Sequence, residues 1–109
     1  MSASSSVKKQ ELVKILNAET SKMPWSELQR FFASGNAVFV HESLDLVDTA
    51  AEIALDNKDK MKAWMDAEQV GPVTDKQAAA WWEEQRIVWA VVVAPWVFVQ
   101  LIRIDTASN

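Results

Sequence analysis

His41 is the only histidine in the 109-residue chain, and acidic residues stand close to it: Glu42 follows directly and Asp45 lies four positions on. A carboxylate beside an imidazole can orient the ring as a general base. With Trp25 or Trp82 as an apolar wall, the three residues would make a ligand-binding pocket. The plainer reading is a strand-end histidine with solvated neighbours. Asp45, Asp48, Glu52 and Asp56 recur at helical spacing. Such a row offers oxygen ligands to Mg²⁺ or Ca²⁺, but one helix face rarely supplies a cage, so a solvated face is expected. The chain has no His-x-x-x-His, Glu-x-x-His, calcium loop or Gly-x-Gly-x-x-Gly, and no serine stands in a nucleophile elbow. No catalytic residue, cofactor or metal is therefore expected.

Aromatic chemistry is more prominent. The chain has six tryptophans, no tyrosine and no cysteine. Trp81 and Trp82 are adjacent, and on a helix they would point about 100° apart, one into a core and one outward or into an interface. A second concentration is the run Ile87 to Ile102, apolar except for Gln100 and carrying Trp89, Pro95, Trp96 and Phe98. Its apolar residues fill both parities, as in a strand covered on both faces. β-Branched and aromatic residues dominate it, and it is short for a spanning helix, which needs about 20 apolar residues. No membrane span is expected.

Length constrains this run. One straight strand from 87 to 104 would reach roughly 59 Å at about 3.3 Å per residue. A domain of this size is roughly 34 Å across. Either the chain turns at Ala94-Pro95, or part of the strand projects and is covered by another copy. Proline lacks an N–H and marks a ladder break, so two strands broken at Pro95 are the reading preferred here, although Ala-Pro is an unusual two-residue hairpin turn. Surplus apolar surface marks a partner site, and twofold homodimers are the commonest outcome. A self-associating, non-catalytic module, a homodimer or higher homo-oligomer with Trp82, Trp89, Pro95, Trp96 and Phe98 at its interface, is the leading expectation. A small-molecule-binding protein or enzyme with a pocket at His41, Glu42 and Asp45 is the alternative.

The elements that must position these residues follow from local patterns. Residues 7 to 20 carry Leu12, Val13, Ile15 and Leu16 at helical spacing. Ser26 and Gln29 match a capping box opening a short helix that buries Leu28, Phe31 and Phe32, ended by Gly35-Asn36. Residues 37 to 40 read as a strand. Residues 44 to 56 read as an amphipathic helix with Asp45, Asp48, Thr49, Glu52 and Asp56 on its polar arc. Asn57 caps a further helix to residue 68, with Met61, Trp64 and Met65 inward. Val70 to Val73 reads as a turn or short edge strand, and Thr74 with Gln77 as a second capping box opening a helix to Gln85. Helices followed by strong strands predict an α+β fold: one small sheet of three to four strands covered by four to five helices. The expected organisation is a disordered tail at 1–6, a single domain at 7–104 and a loose tail at 105–109.

Charge is uneven. The net charge of −4 resolves into +1 for residues 1–43, −6 for 44–85 and +1 for 86–109. An acidic middle argues against nucleic-acid binding, which uses clustered Lys and Arg. Met1 to Ser6 lacks the apolar stretch of a secretory signal, so the cytoplasm is the expected location.

Several stretches carry a resemblance: Leu16-Asn17-Ala18-Glu19-Thr20, Pro24-Trp25-Ser26-Glu27-Leu28-Gln29-Arg30-Phe31-Phe32-Ala33, Leu44-Asp45-Leu46-Val47, Pro72-Val73 ahead of Thr74 and Gln77, and Trp89-Ala90-Val91-Val92-Val93-Ala94-Pro95-Trp96-Val97. Together they resemble an uncharacterised bacterial family, domain of unknown function 2288. The resemblance implies a small stand-alone bacterial protein, cytoplasmic, and brings no activity, cofactor or site residue with it.

Overall fold

A computed structural model describes the backbone of residues 2–102 and the side chains of residues 8–102. The elements run α1 (Ser2–Glu19), β1 (Ser21–Pro24), a 3-10 turn (Trp25–Leu28), α2 (Gln29–Ala33), β2 (Ala37–Val40), α3 (Leu46–Ala54), α4 (Lys58–Asp66), β3 (Val70–Pro72), α5 (Asp75–Glu83), β4 (Ile87–Val93) and β5 (Trp96–Leu101). Helix α1 begins inside the segment expected to be a tail. The expected domain end at residue 104 and the tail 105–109 lie outside the described residues.

The sheet has five strands, in the order β1-β4-β5-β2-β3, not three to four. β2 and β5 are parallel, and the other neighbours are antiparallel. The strand missed in the sequence is β1. Ser-Lys-Met-Pro has no apolar alternation, yet it pairs with β4 from Ser21↔Ala90 to Pro24↔Ile87. An edge strand can tolerate proline, whose missing N–H need not serve a ladder. The apolar run does turn at Ala94-Pro95, into the hairpin β4–β5. The Ala94–Pro95 bond is cis, as at the third position of a type VI turn. The longest dimension of the molecule, 47 Å, is less than a single strand over 87–104 would need.

Both faces of the sheet are covered, as the double apolar parity of the run requires. On one face Trp25 and Leu28, with Ala78 and Trp81 of α5, pack on Ala37, Val88, Ala90, Val97 and Val99. On the other, Leu16 of α1 and Leu46, Ala50, Ala51 and Ile53 of α3 pack on Val40, Val70, Val91 and Phe98, with Met61 and Trp64 of α4 alongside. Ile15 and Met65 point outward, against the helical faces assigned to them.

The second capping box is present in full: Thr74 Oγ1 accepts from Gln77 N–H, and Gln77 Oε1 accepts from Thr74 N–H. The first is not. A 3-10 turn starts at Trp25 directly after Pro24, and Gln29 Nε2 donates to Trp25 O instead.

Helices α2 to α5 end in one geometry. The residue after each C-cap is left-handed, and the next N–H reaches back to the carbonyl five residues earlier: Asn36 to Phe31, Asn57 to Glu52, Gln69 to Trp64 and Arg86 to Trp81. This is the Schellman ending, which favours glycine. Only Gly35 supplies one; Asp56, Glu68 and Gln85 hold φ of 63°, 59° and 53°. A side chain in this region is disfavoured by contact between Cβ and the backbone. Glu68→Gly is therefore expected to stabilise the domain by about 0.5–1 kcal/mol, net of the extra entropy glycine gives the unfolded chain. Urea unfolding measures it, and a destabilised variant would contradict the turn.

Candidate functional site

Helix α5 and the chain reversal after it build a surface groove. The capping box fixes the start of α5, and helical spacing then drives Ala78 and Trp81 into the core. Trp82, one position on, turns outward and is 56% exposed, against 5% for Trp81. The left-handed Gln85 reverses the chain. Arg86 N–H donates to Trp81 O at 2.9 Å, and Arg86 O accepts from Trp25 N–H at 2.8 Å. These two bonds tie the end of α5 to the end of β1 and lead directly into β4.

A groove of about 400 Å³ lies at this corner. Pro24 and Ser26 line it together with Trp81 and Trp82 of α5 and with Gln85, Arg86 and Ile87 of the reversal. Trp25 lies behind Trp81, 5.0 Å between ring centroids at 85°, and meets Phe32 at 5.8 Å and 63°. Edge-to-face packing sets positive ring edges against negative faces, so the support behind the groove is ordered. Two buried donors here make no hydrogen bond: Trp25 Nε1 and Arg86 Nε. The Arg86 Nε lies 3.1 Å from Glu84 Oε1, close enough to pair charges but not aligned as a hydrogen bond. The groove is lined by an indole, an arginine, a side-chain amide and a hydroxyl.

The residues expected to form a pocket with His41 do not converge. His41 and Glu42 are exposed. His41 Nδ1 accepts from Ser43 N–H at 3.0 Å and lies 2.9 Å from Ser43 Oγ. Accepting from a backbone N–H places the proton of the neutral ring on Nε2. Asp45 is the N-cap of α3, its Oδ1 accepting from Asp48 N–H at 2.8 Å. Gln100 Nε2 donates to His41 O and Leu44 O. These bonds shape a turn. Trp25, expected as a wall, is wholly buried in the first core cluster, and Trp82 belongs to the groove with Arg86.

The residues assigned to an interface also separate. Phe98 is fully buried within one chain, which removes it from any surface. Trp89 packs against the second core cluster, with Lys22 Nζ 5.2 Å from its ring centroid. Trp96 and Pro95 are exposed at the hairpin tip. Trp82 adjoins Ile87 at the other end of β4, six residues from Val93, or about 20 Å along the strand. They are two surfaces, not one.

The acidic row of α3 departs furthest from expectation. Thr49 and Glu52 are 1% and 7% exposed. The Glu52 carboxylate is taken by two ammonium groups, Lys9 at 2.6 Å and Lys60 at 2.8 Å, and by Asn57 Nδ2 at 3.0 Å. Hydrogen bonds from Lys60 and Lys9 hold its pKa down to about 2, against the desolvation that opposes them. Lys9 also meets Asp48 at 2.7 Å. The hydrogen bonds to Asp48 and Glu52 raise the Lys9 pKa. The cluster links α1, α3 and α4, and its cations occupy the oxygen atoms a metal would need.

No helix among the described residues is long and apolar enough to cross a membrane. The pattern of a family described as a protein of unknown function, DUF2288, matches residues 11–101. The NMR solution structure of PA1075 from Pseudomonas aeruginosa is similar to this chain with a TM-score of 0.75 and 38% identity, covering 84% of each chain. No curated protein matches significantly. The family match spans both core clusters, the hairpin and the groove, and the chain belongs to the DUF2288 family.

Proposed function

We propose that this chain is a non-catalytic, self-associating module whose copies meet through the β4–β5 hairpin tip. The supporting observation is that the tip outruns its neighbours. β1 pairs no further along β4 than Ala90, and β2 begins its pairing with β5 at Val97, so Val91–Val93 lack a β1 partner. Val92, opposite Val97, and Trp96, opposite Val93, lie on opposite faces of the tip. They are 43% and 38% exposed, and Ala94 and Pro95 between the strands are exposed too.

One flat partner would cover one face only. A second tip, approaching about a twofold axis, can cover both, with the same patch on each copy. A stable interface buries about 800 Å² per partner, a modest fraction of the 7175 Å² surface. The tip would be the centre of such a patch, with Trp96 as the kind of aromatic anchor that dominates binding energy. We place the protein in the bacterial cytoplasm, the Pseudomonas aeruginosa relative supporting the bacterial part of that reading.

Sedimentation velocity tests this at tens of micromolar protein. The wild type should sediment as a dimer. Trp96→Glu should sediment as a monomer with an unchanged circular dichroism spectrum, and Trp82→Ala should leave the dimer intact. A monomeric wild type would overturn the proposal, as would a dimer indifferent to Trp96→Glu.

A further inference from the structure

We infer that the groove beside Trp82 binds a small planar carboxylate: an aromatic or conjugated ring bearing one acid group. The ring partner is Trp82, whose indole stands exposed while its helical neighbour Trp81 is buried. The acid partner is Arg86. Arg86 lines the groove and its side chain is 32% exposed, although its Nε is buried. A planar guanidinium fork matches a carboxylate with two parallel bonds, which an ammonium cannot do. Glu84 competes for the same group, but its carboxylate is half exposed and misaligned, and an exposed pair of this kind is weakly held. A bound carboxylate would pair with the two terminal amino groups of the guanidinium, since the buried Nε is out of a ligand's reach.

Size and rigidity agree. The volume of about 400 Å³ lies at the lower end of the range for small-molecule sites, about 300–1,000 Å³. That suits one or two fused rings. Trp81 is locked against Trp25, and the Arg86 backbone is bonded on both sides, to Trp81 and Trp25. The ligand would meet a formed surface. Gln85 and Ser26, which also line the groove, can add polar contacts to a ring substituent. The site lies at the opposite end of β4 from the hairpin tip, so it stands or falls separately from self-association.

The six indole N–H groups of the chain make a direct test possible by ¹⁵N–¹H correlation spectra of the full protein titrated with 2-naphthoate. The Trp82 indole and Arg86 Nε–H signals should shift saturably, and Trp96 should not. The neutral 2-naphthamide should bind about tenfold more weakly, the loss expected for one charge-assisted hydrogen bond. Arg86→Met should remove that preference for the acid, and Trp82→Ala should weaken both compounds. Arg86→Lys, which keeps the charge and loses the fork, serves if the methionine variant misfolds, and it should also lose most of the preference. Absence of a saturable shift, equal binding of acid and amide, or shifts centred on another tryptophan would each overturn the inference.

Discussion

Trp25→Ala should destabilise the domain by about 3–5 kcal/mol, the range for emptying a large buried aromatic site. Against the total of about 5–15 kcal/mol that holds a typical domain together, this leaves a protein substantially unfolded under mild heating or denaturant. Trp25 is wholly buried. It touches elements far apart in the chain, through Phe32 of α2, Trp81 of α5 and the Arg86 carbonyl. The surrounding rings belong to different elements and cannot all close on the vacancy, so the cavity term adds to the lost burial. Trp25→Phe discriminates between volume and hydrogen bonding. The indole N–H has no acceptor, so its removal forfeits no bond, and the variant should lose only about 1–2 kcal/mol from the reduced ring. Urea unfolding followed by circular dichroism gives both values. Equal losses for the two variants would mean that the N–H is engaged after all.

The same residue shows where sequence reading succeeds and where it stops. Trp81 and Trp82 divide into one buried and one exposed ring as helical geometry demands, and Thr74–Gln77 closes its cap because both partners lie within one turn. The double parity of residues 87–94 implies a strand covered on both faces, and helices supply that cover. Trp25 was harder, because its neighbours Trp81 and Arg86 are brought to it by β1, a polar edge strand with no periodic signal. The ends of α3, α4 and α5 fall within two residues of the expected 56, 68 and Gln85, but their geometry is not legible. Their left-handed residues are Asp, Glu and Gln, where a reader looks for glycine. The groove inherits both difficulties. Trp82 was legible by its adjacency to Trp81, but Arg86 becomes a site residue only through the reversal at Gln85.

Glu52 is the case in which amphipathic reasoning misleads, and it carries the second large effect. A carboxylate on the polar arc of α3 was assigned to solvent, yet its partner Lys9 is 43 residues away and invisible to local spacing. Glu52→Gln should destabilise the domain by about 2 kcal/mol at neutral pH. A pKa held at about 2, against the ordinary 4.5, corresponds to roughly 3 kcal/mol of linkage. Screening reduces it, because the Lys60 side chain is half exposed. The sign follows from the depressed value. The stabilisation is complete above the unfolded pKa and disappears as pH falls from about 5 through 2, where the folded carboxylate also takes up a proton. Wild type and Glu52→Gln should therefore differ clearly at pH 7 and converge near pH 2. Lys9 works at the opposite limit, its raised pKa giving stability that is present below 10.5 and lost as pH rises beyond it. Urea unfolding of both proteins across the acid range decides the matter. A difference that stays constant from pH 7 to pH 2 would mean that packing around Glu52, not its charge, holds α1 and α4 to α3.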